Sequence, residues 1–368
     1  MPGRGRAESI VGINVAVVGL QFGSLFVPVY RDHPGVDEVI VADLDAGLAR
    51  TQLGNGANRV AADFDAILDD DSIDAVHIVT PPHLHGPMAI QALSAGKHCA
   101  AAIPAALEMG HLHELVAQQE ASGKNYMMME TALYYPPAME ARQLLADGAF
   151  GTVTFGRGYH FQDMTGYHNP YFEGFPPHLN ITHAIGPLLV LLEARTTTVR
   201  CLGSGRLPDE MTTRWGNPYP VETAIFELDR GDVAIEVSRS MSHMPHAYTE
   251  GFALWGDRLG YEWTSFAEDP IHYVWSPEDR HPAAVRRPAP DFSHLLPEGF
   301  RRHGGPTTAY WGAVGHLVHE FVSSIVDARR PVLDAVRAAD LTGAGIAAHA
   351  SAMAGGSVVE VPDFGNVA

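Results

Sequence analysis

The residues best able to move a proton crowd into one short stretch. Tyr159, His160, Asp163, Tyr167, His178 and His183 all fall between positions 159 and 183. Oxidising a secondary alcohol needs a base that takes the hydroxyl proton while a hydride leaves for an acceptor. An imidazole, with an ordinary pKa of about 6.5, holds that proton near neutral pH. His183 is the first candidate, because it opens an apolar helix through Ala184 to Leu192, where a polar side chain without a task would be costly to bury. Its structural alternative is a histidine bonded to backbone at a domain seam. Glu130, Tyr134, His160, Asp163 and His178 are the candidates for an assisting group, and the sequence does not choose among them. Glu130 follows the apolar strand at Tyr126–Met129 and could act at a cleft or cap the turn at Thr131. Asp163 could orient His160 or His183, or serve as a turn residue. Tyr134, Tyr159, Tyr167 and His178 are placed as substrate-lining residues. His160, Asp163, His178 and His183 could also surround a divalent cation that activates a hydroxyl. No His-Glu-x-x-His spacing supports that, so no metal is expected.

A scaffold must hold these groups against an electron acceptor, and the first third of the chain has the pattern of one. Val15–Val18 is a short apolar run ending at Gly19, as a strand buried on both faces reads. A glycine-bearing turn, Gly19-Leu20-Gln21-Phe22-Gly23-Ser24, then leads into a helix, and a second apolar run ends at Asp43. In a dinucleotide site such glycines let backbone approach the pyrophosphate, and the acid accepts from ribose hydroxyls. Gln21 and Ser24 stand where the second and third glycines of the fingerprint belong, so the motif is imperfect. A carboxylate at position 43 would repel a 2'-phosphate, which favours NAD over NADP. Strands then alternate with helices: 75–79, a helix from Pro87, 98–101, a helix over 107–122, and 126–129. This predicts a doubly wound parallel sheet with ligands at the strand ends. Gly19, Gln21, Phe22, Gly23, Asp43, Thr80, Pro81, His83, His85 and Ile103 are therefore the expected cofactor-binding residues.

From Gly151 the pattern changes to runs at 153–159, 199–203, 222–228, 233–239 and 251–256 that alternate apolar with polar residues, as in an antiparallel sheet with one buried face. The stretch 275–305, rich in Pro, Arg and His, reads as a long loop from which His303 could reach a substrate. Helices are expected over 311–327 and 334–353, with a last strand at 358–361.

Composition bounds the partners. The chain has 368 residues, 46% of them hydrophobic, and 43 acidic against 24 basic residues, a net charge of -19. That length and apolar content suffice for two cores. The charge argues against nucleic acid and against an anionic membrane surface, since phosphate binding needs clustered Lys and Arg. No run is long enough to span a bilayer or act as a signal peptide, so a cytoplasmic protein with a small-molecule substrate is expected. Cys99 and Cys201 supply neither a disulfide framework nor a thiolate metal site.

The spaced pieces VVGLQFGS, VADLD, IVTPPHLHGPMAIQALSAGKHC, AAIPAALE and ASGKNYMMMETALYYPPAMEARQLLADGAFGTV together resemble the Gfo/Idh/MocA family of glucose-fructose oxidoreductase and inositol dehydrogenase. The resemblance implies an N-terminal NAD(P)-binding Rossmann domain (10–133). It also implies a C-terminal α+β domain (134–368) with an open, largely antiparallel sheet that carries the substrate site and an oligomer interface. The implied chemistry is hydride exchange between nicotinamide and a ring hydroxyl of a sugar, cyclitol or glycoside, in a homodimer or homotetramer, with His183 aligned to the family's catalytic histidine. An NAD-dependent glycoside hydrolase, working by transient oxidation at C3 and elimination, is the alternative within the family. Two departures stand out: Ala102-Ile103-Pro104 replaces the usual Glu-Lys-Pro, and Leu179 replaces the Asp of Asp-x-x-x-His. The chain thus resembles a subgroup that lacks the lysine.

Overall fold

The structure, a computed structural model, describes residues 12–164, 170–242, 248–266, 269–275 and 290–366. Within it the apolar runs of the first third become a six-stranded parallel sheet in the order β3-β2-β1-β4-β5-β6. Its strands are β1 (Ile13–Val18), β2 (Val36–Ala42), β3 (Arg59–Val60), β4 (Ala75–Ile78), β5 (His98–Ala101) and β6 (Tyr126–Met128). The central strands are buried on both faces, which is why they read as unbroken apolar stretches. The helices between them are α1 (Leu20–Gly23), α2 (Val27–Asp32), α3 (Ala46–Thr51), α4 (Phe64–Leu68), α5 (Pro82–Ser94) and α6 (Met109–Ser122). Helix α5 begins five residues before the position read from the sequence. Pro82 sits in its first turn, where the missing N–H has no partner to lose, and Pro87 lies inside the helix.

The second half builds an eight-stranded sheet in the order β13-β12-β11-β7-β10-β9-β8-β14. Its elements are α7 (Pro136–Ala146), β7 (Val153–Gln162), α8 (Thr182–Leu191), β8 (Thr196–Ser204), α9 (Asp209–Thr212), β9 (Val221–Leu228), β10 (Ala234–Ser240), β11 (Tyr248–Gly256), β12 (Gly260–Phe266) and β13 (Asp269–Trp275). The chain ends with α10 (Ala313–Val326), α11 (Ala335–Met353) and β14 (Val359–Glu360). Neighbouring strands run antiparallel except β7 and β10, which are parallel. β12 and β13 extend the sheet beyond what the sequence pattern suggested. The described part of the expected loop, from residue 290, holds short helical turns at Ser293–Leu295 and Glu298–His303.

Register on this sheet decides what faces inward. Leu254, Gly156, Ile235 and Phe226 form one cross-strand row over β11, β7, β10 and β9, and Phe252, Gly158, Val237 and Ala224 form the next. The third row is Glu250, His160, Arg239 and Glu222, every one of them buried. Helix α8 lies across these rows because two of the positions beneath it are glycines. A Cβ at Gly158 would collide with the Ala184 carbonyl oxygen. The chain's last helices fold back onto the first sheet: Met128 N–H donates to the Leu333 carbonyl at 3.0 Å, and Asn125 Nδ2 donates to Ser324 Oγ at 3.1 Å.

Gly158→Ala is expected to push α8 off the sheet. The cost should be about 1–3 kcal/mol, the range for overpacking a close-packed site, read as a lower urea midpoint at unchanged m-value. An unchanged midpoint would show that α8 can yield at no cost.

Candidate active site

The turn after β1 has the form a dinucleotide requires. Gly19 adopts φ 88°, and a Cβ there would stand 2.6 Å from the Val79 carbonyl oxygen, so only glycine lets β1 and β4 end side by side. A Cβ at Gly23 would lie 3.1 Å from Val17 Cγ1, which makes that glycine the close helix–strand contact. Asp43, at the carboxyl end of β2, accepts from Leu20 N–H at 2.6 Å and from Asp45 N–H at 2.8 Å. A glycine cradle and a strand-end carboxylate fixed by two backbone donors therefore fit a pyrophosphate and an unphosphorylated ribose. Gln21 and Phe22 are exposed on this turn. The Phe22 ring meets Tyr310 edge-on at 5.8 Å. The next residue, Trp311, packs edge-on against Tyr135 at 4.9 Å. Tyr310 and Trp311 both adopt left-handed backbone, φ 51° and 52°, at a cost of roughly 1–2 kcal/mol each. This held segment bridges the dinucleotide turn and the second sheet.

The other strand-end residues divide. Thr80 and Ile103 are half-buried at the ends of β4 and β5, and Pro81 and His83 are exposed at the start of α5. His83 stacks on Tyr171 with ring centroids 5.2 Å apart and its N–H donates to Tyr171 Oη at 3.1 Å. His85 turns inward, its ring nitrogens 2.7 Å from the Thr80 carbonyl and 2.8 Å from that of Pro104. It ties two strand-end loops together beneath the cleft.

The proton-moving residues assemble around His183. It sits at the start of α8, its side chain 16% exposed, and its Nδ1–H donates to Glu130 Oε1 at 2.6 Å. Glu130 is fully buried at the end of β6, where Oε1 also accepts from Ala132 N–H at 2.9 Å. Glu130 thus caps the turn at Thr131 and at the same time meets His183. Burial works to raise the Glu130 carboxyl, but the His183 charge and hydrogen bond hold it below its usual range. Burial likewise works to lower His183, and Glu130 outweighs it, so the imidazole titrates above its ordinary value. Its Nε2 is left to take or give a proton. His160 projects from β7 beside it, ring centroids 4.9 Å apart, and burial with the nearby Arg239 charge keeps that ring neutral.

Five residues named from the sequence lie elsewhere. Tyr134 stacks on His316 of α10, while its neighbour Tyr135 is the tyrosine that faces the site. Tyr159 points from β7 to the other sheet face, stacked on Phe161 at 5.8 Å. His178 pairs with Glu222, its backbone N–H donating at 2.9 Å, and His349 Nδ1 meets the other carboxylate oxygen at 2.7 Å. Burial raises Glu222, and these two histidines overcome it, holding the carboxyl at about 2. Asp163 is half-buried just past β7, next to Met164 of a separate apolar cluster with Tyr171, Phe175 and Met241. Tyr167 lies outside the described residues. His303 bonds Asp32 at the end of α2 instead of reaching the site. Among the described residues no group of three or more His, Cys, Asp or Glu is arranged to hold a metal ion, and no helix is long and apolar enough to cross a membrane.

Glu250, Tyr248, Tyr135 and Arg239 were not singled out from the sequence. Tyr248 Oη donates to Glu250 Oε2 at 2.6 Å. The Arg239 guanidinium, fully buried, donates to the carbonyls of Asn180 (3.0 Å), His160 (2.9 Å) and Ser240 (2.7 Å), and burial draws its pKa down to about 10. A signal was present: Arg239 falls in phase with Ile235 and Val237, and Glu250 in phase with Phe252 and Leu254, so alternation alone sends both charges inward.

Residues 13–130 match the model of an oxidoreductase family with an NAD-binding Rossmann fold, Gfo/Idh/MocA. A glycosyl hydrolase family 109 protein of Saccharopolyspora erythraea is 27% identical over 218 residues, 51% of this chain and 48% of that protein. One from Streptomyces niveus is 23% identical over 393 residues, 96% of this chain and 77% of the relative. The alpha-N-acetylgalactosaminidase of Bacteroides fragilis is 30% identical over 136 residues, 33% of this chain and 32% of that enzyme. The chain spans about half or less of the first curated relatives it matches, 48% and 32% of their lengths. Among solved structures, levoglucosan dehydrogenase with NADH and levoglucosan superposes with a TM-score of 0.81 at 20% identity, over 95% of this chain and all of that one. The scyllo-inositol dehydrogenase of Lactobacillus casei gives 0.73 at 18% identity, over 96% and 99%. At these identities the structural matches show a shared fold.

Glu130→Gln should lower the His183 pKa, because burial then acts on the imidazole without a counter-charge. Histidine-selective NMR titration reads this directly as a midpoint displaced to lower pH. A midpoint that stays in place would mean the pair does not set His183.

Proposed function

We propose that this chain, which belongs to the Gfo/Idh/MocA oxidoreductase family, is an NAD-dependent dehydrogenase acting on a ring hydroxyl of a sugar, cyclitol or glycoside. The observation that carries the reading is the buried 2.6 Å Glu130–His183 pair, which leaves one imidazole nitrogen free for a hydroxyl proton. Gly19, Gly23 and Asp43 would hold the dinucleotide, with Gln21, Phe22, Thr80, Pro81, His83 and Ile103 around it, the Leu20 N–H fixing Asp43 and His85 supporting the loops. NAD bound there supplies a hydride acceptor and donor.

His183 Nε2 takes the hydroxyl proton in oxidation and returns it in reduction, and Glu130 stabilises the imidazolium and fixes the ring. Ile103 cannot donate, accept or carry charge, so the lysine's usual share falls to the His183 network. Because Glu130 raises the His183 pKa above its ordinary value, oxidation is expected to rise with pH through that raised pKa, and reduction to fall. The reading brings with it a cytoplasmic homodimer or homotetramer formed through the open face of the second sheet, on which Leu202 and Ile225 are exposed.

One specific observation favours a second reaction on the same site. The curated relatives carry a glycosidase name, and the common lysine is replaced. In oxidoreductive glycoside hydrolysis a ring hydroxyl is oxidised, and the C–H beside the new carbonyl is lost together with the glycosidic oxygen. Water then adds and the carbonyl is reduced again. Net redox change separates the two readings.

Purified protein with NAD, challenged with free sugars, cyclitols and aryl glycosides, should show lasting reduced-nicotinamide absorbance on at least one substrate. Aglycone release without net reduction would select the hydrolase, and neither signal would refute both. His183→Ala should lose about a hundredfold or more in turnover, the scale for an acid–base group, with NAD affinity retained. Asp43→Ala should weaken NAD binding, and wild-type preference for NADP would contradict the role of Asp43.

A further inference from the structure

An alcohol–carbonyl exchange moves one proton at one oxygen, and the Glu130–His183 pair can receive it. The structure buries more proton-bearing groups than that. Glu250, 1% exposed, faces His160 across the β11–β7 pairing. Its neighbours are two phenols: Tyr248 Oη at 2.6 Å and the hydroxyl of Tyr135, which stands 3.3 Å from Thr131 Oγ1. Burial among them holds the carboxyl above its ordinary range.

His160 is the second unexplained group. It is 1% exposed, yet among the described residues neither ring nitrogen has a hydrogen-bond partner. A neutral imidazole carries one donor and one acceptor, and leaving them unmet in a buried place is costly. The ring stands between two others, 4.9 Å from His183 and 4.9 Å from Tyr248. The groups around it are His183 on α8, Glu130 at the end of β6, Arg239 on β10, Tyr248 and Glu250 on β11 and Tyr135 before α7.

We propose that Glu250 is the proton store of this site, and that His160 and Tyr248 are the path between it and His183. The inference rests on the reading of His183 as the proton-transfer residue. Only N–H and O–H bonds form and break. In oxidation the hydroxyl proton rests on His183 Nε2 and passes to one nitrogen of His160. The proton on the other nitrogen goes to Tyr248 Oη as the Tyr248 proton moves onto the Glu250 carboxylate. In reduction the same series runs backward and Glu250 supplies the proton. The path requires rotation of the His160 ring, which no hydrogen bond from the described residues holds. The Arg239 charge beside His160 disfavours a lasting imidazolium there, so that residue passes the proton on and does not keep it.

Two measurements test this. Histidine nitrogen NMR on the protein without substrate should show His183 titrating in two coupled steps, one belonging to Glu250. Glu250→Gln, neutral and nearly isosteric, should leave one step. Tyr248→Phe should keep both steps and cut the path. Its kcat should fall about a hundredfold with KM and NADH affinity unchanged, and added imidazole should restore part of the loss. His183 titrating alike in wild type and Glu250→Gln would overturn the store, and wild-type kcat in Tyr248→Phe would overturn the path. If Tyr248→Phe does not fold, the Glu250→Gln titration decides alone. Silence on every sugar would refute the dehydrogenase reading without touching the titration, so the two failures are distinguishable.

Discussion

Everything at the centre of this molecule depends on one hydrogen bond, from His183 Nδ1 to Glu130 Oε1 at 2.6 Å. Its partners come from different sheets, the acid from the end of a parallel strand and the imidazole from a helix laid on the second sheet. A carboxylate with no exposed surface persists only beside a compensating charge, and breaking such a pair from one side costs about 3–5 kcal/mol. The bond is therefore a joint between the two halves as well as the centre of the proposed proton site. Its geometry follows from two modest facts: β6 ends at Met128, and glycines beneath α8 let the helix lie close enough for residue 183 to reach.

Around this joint the fold treats like groups in unlike ways. Glu130 is held below its usual range by a histidine, and Glu250, a few side chains away and surrounded by phenols, is held above it. His183 is pushed toward protonation and His160 away from it. Carboxyls and imidazoles whose environments drive them apart divide acid from base roles. Glu222, at the far end of the same row, belongs to another set. Bound by His178 and His349, it fastens β9 to the last long helix and to the turn that precedes α8.

Much of this was legible in the residues. The apolar runs ending at Gly19, Asp43 and Glu130 declare a parallel sheet whose strand ends gather, and the histidine at the head of an apolar helix declares a task. Partner choice was not legible. Tyr134 and Tyr135 are adjacent and alike in type, and only the packing of α10 decides which one turns toward the site. His178 and His183 are five apart, yet a single helical turn between them sends one to Glu222 and the other to Glu130. His85 looks like a strand-end ligand until both of its nitrogens are found against carbonyls. Glu250 and Arg239 could have been found by asking which charged residues fall in step with the apolar side of a strand.

That stepping has a consequence for how such a protein can vary. Side chains on a strand change face at every residue, so inserting or deleting one residue within β7, β10 or β11 would exchange each inward group for its outward neighbour. Glu250 would give way to Thr249 or Gly251, and His160 to Tyr159 or Phe161. Length change in these strands is therefore confined to the turns between them. A lineage could lengthen its loops freely while keeping the phase of three short strands fixed, and the buried acid, imidazole and guanidinium would be inherited together or lost together.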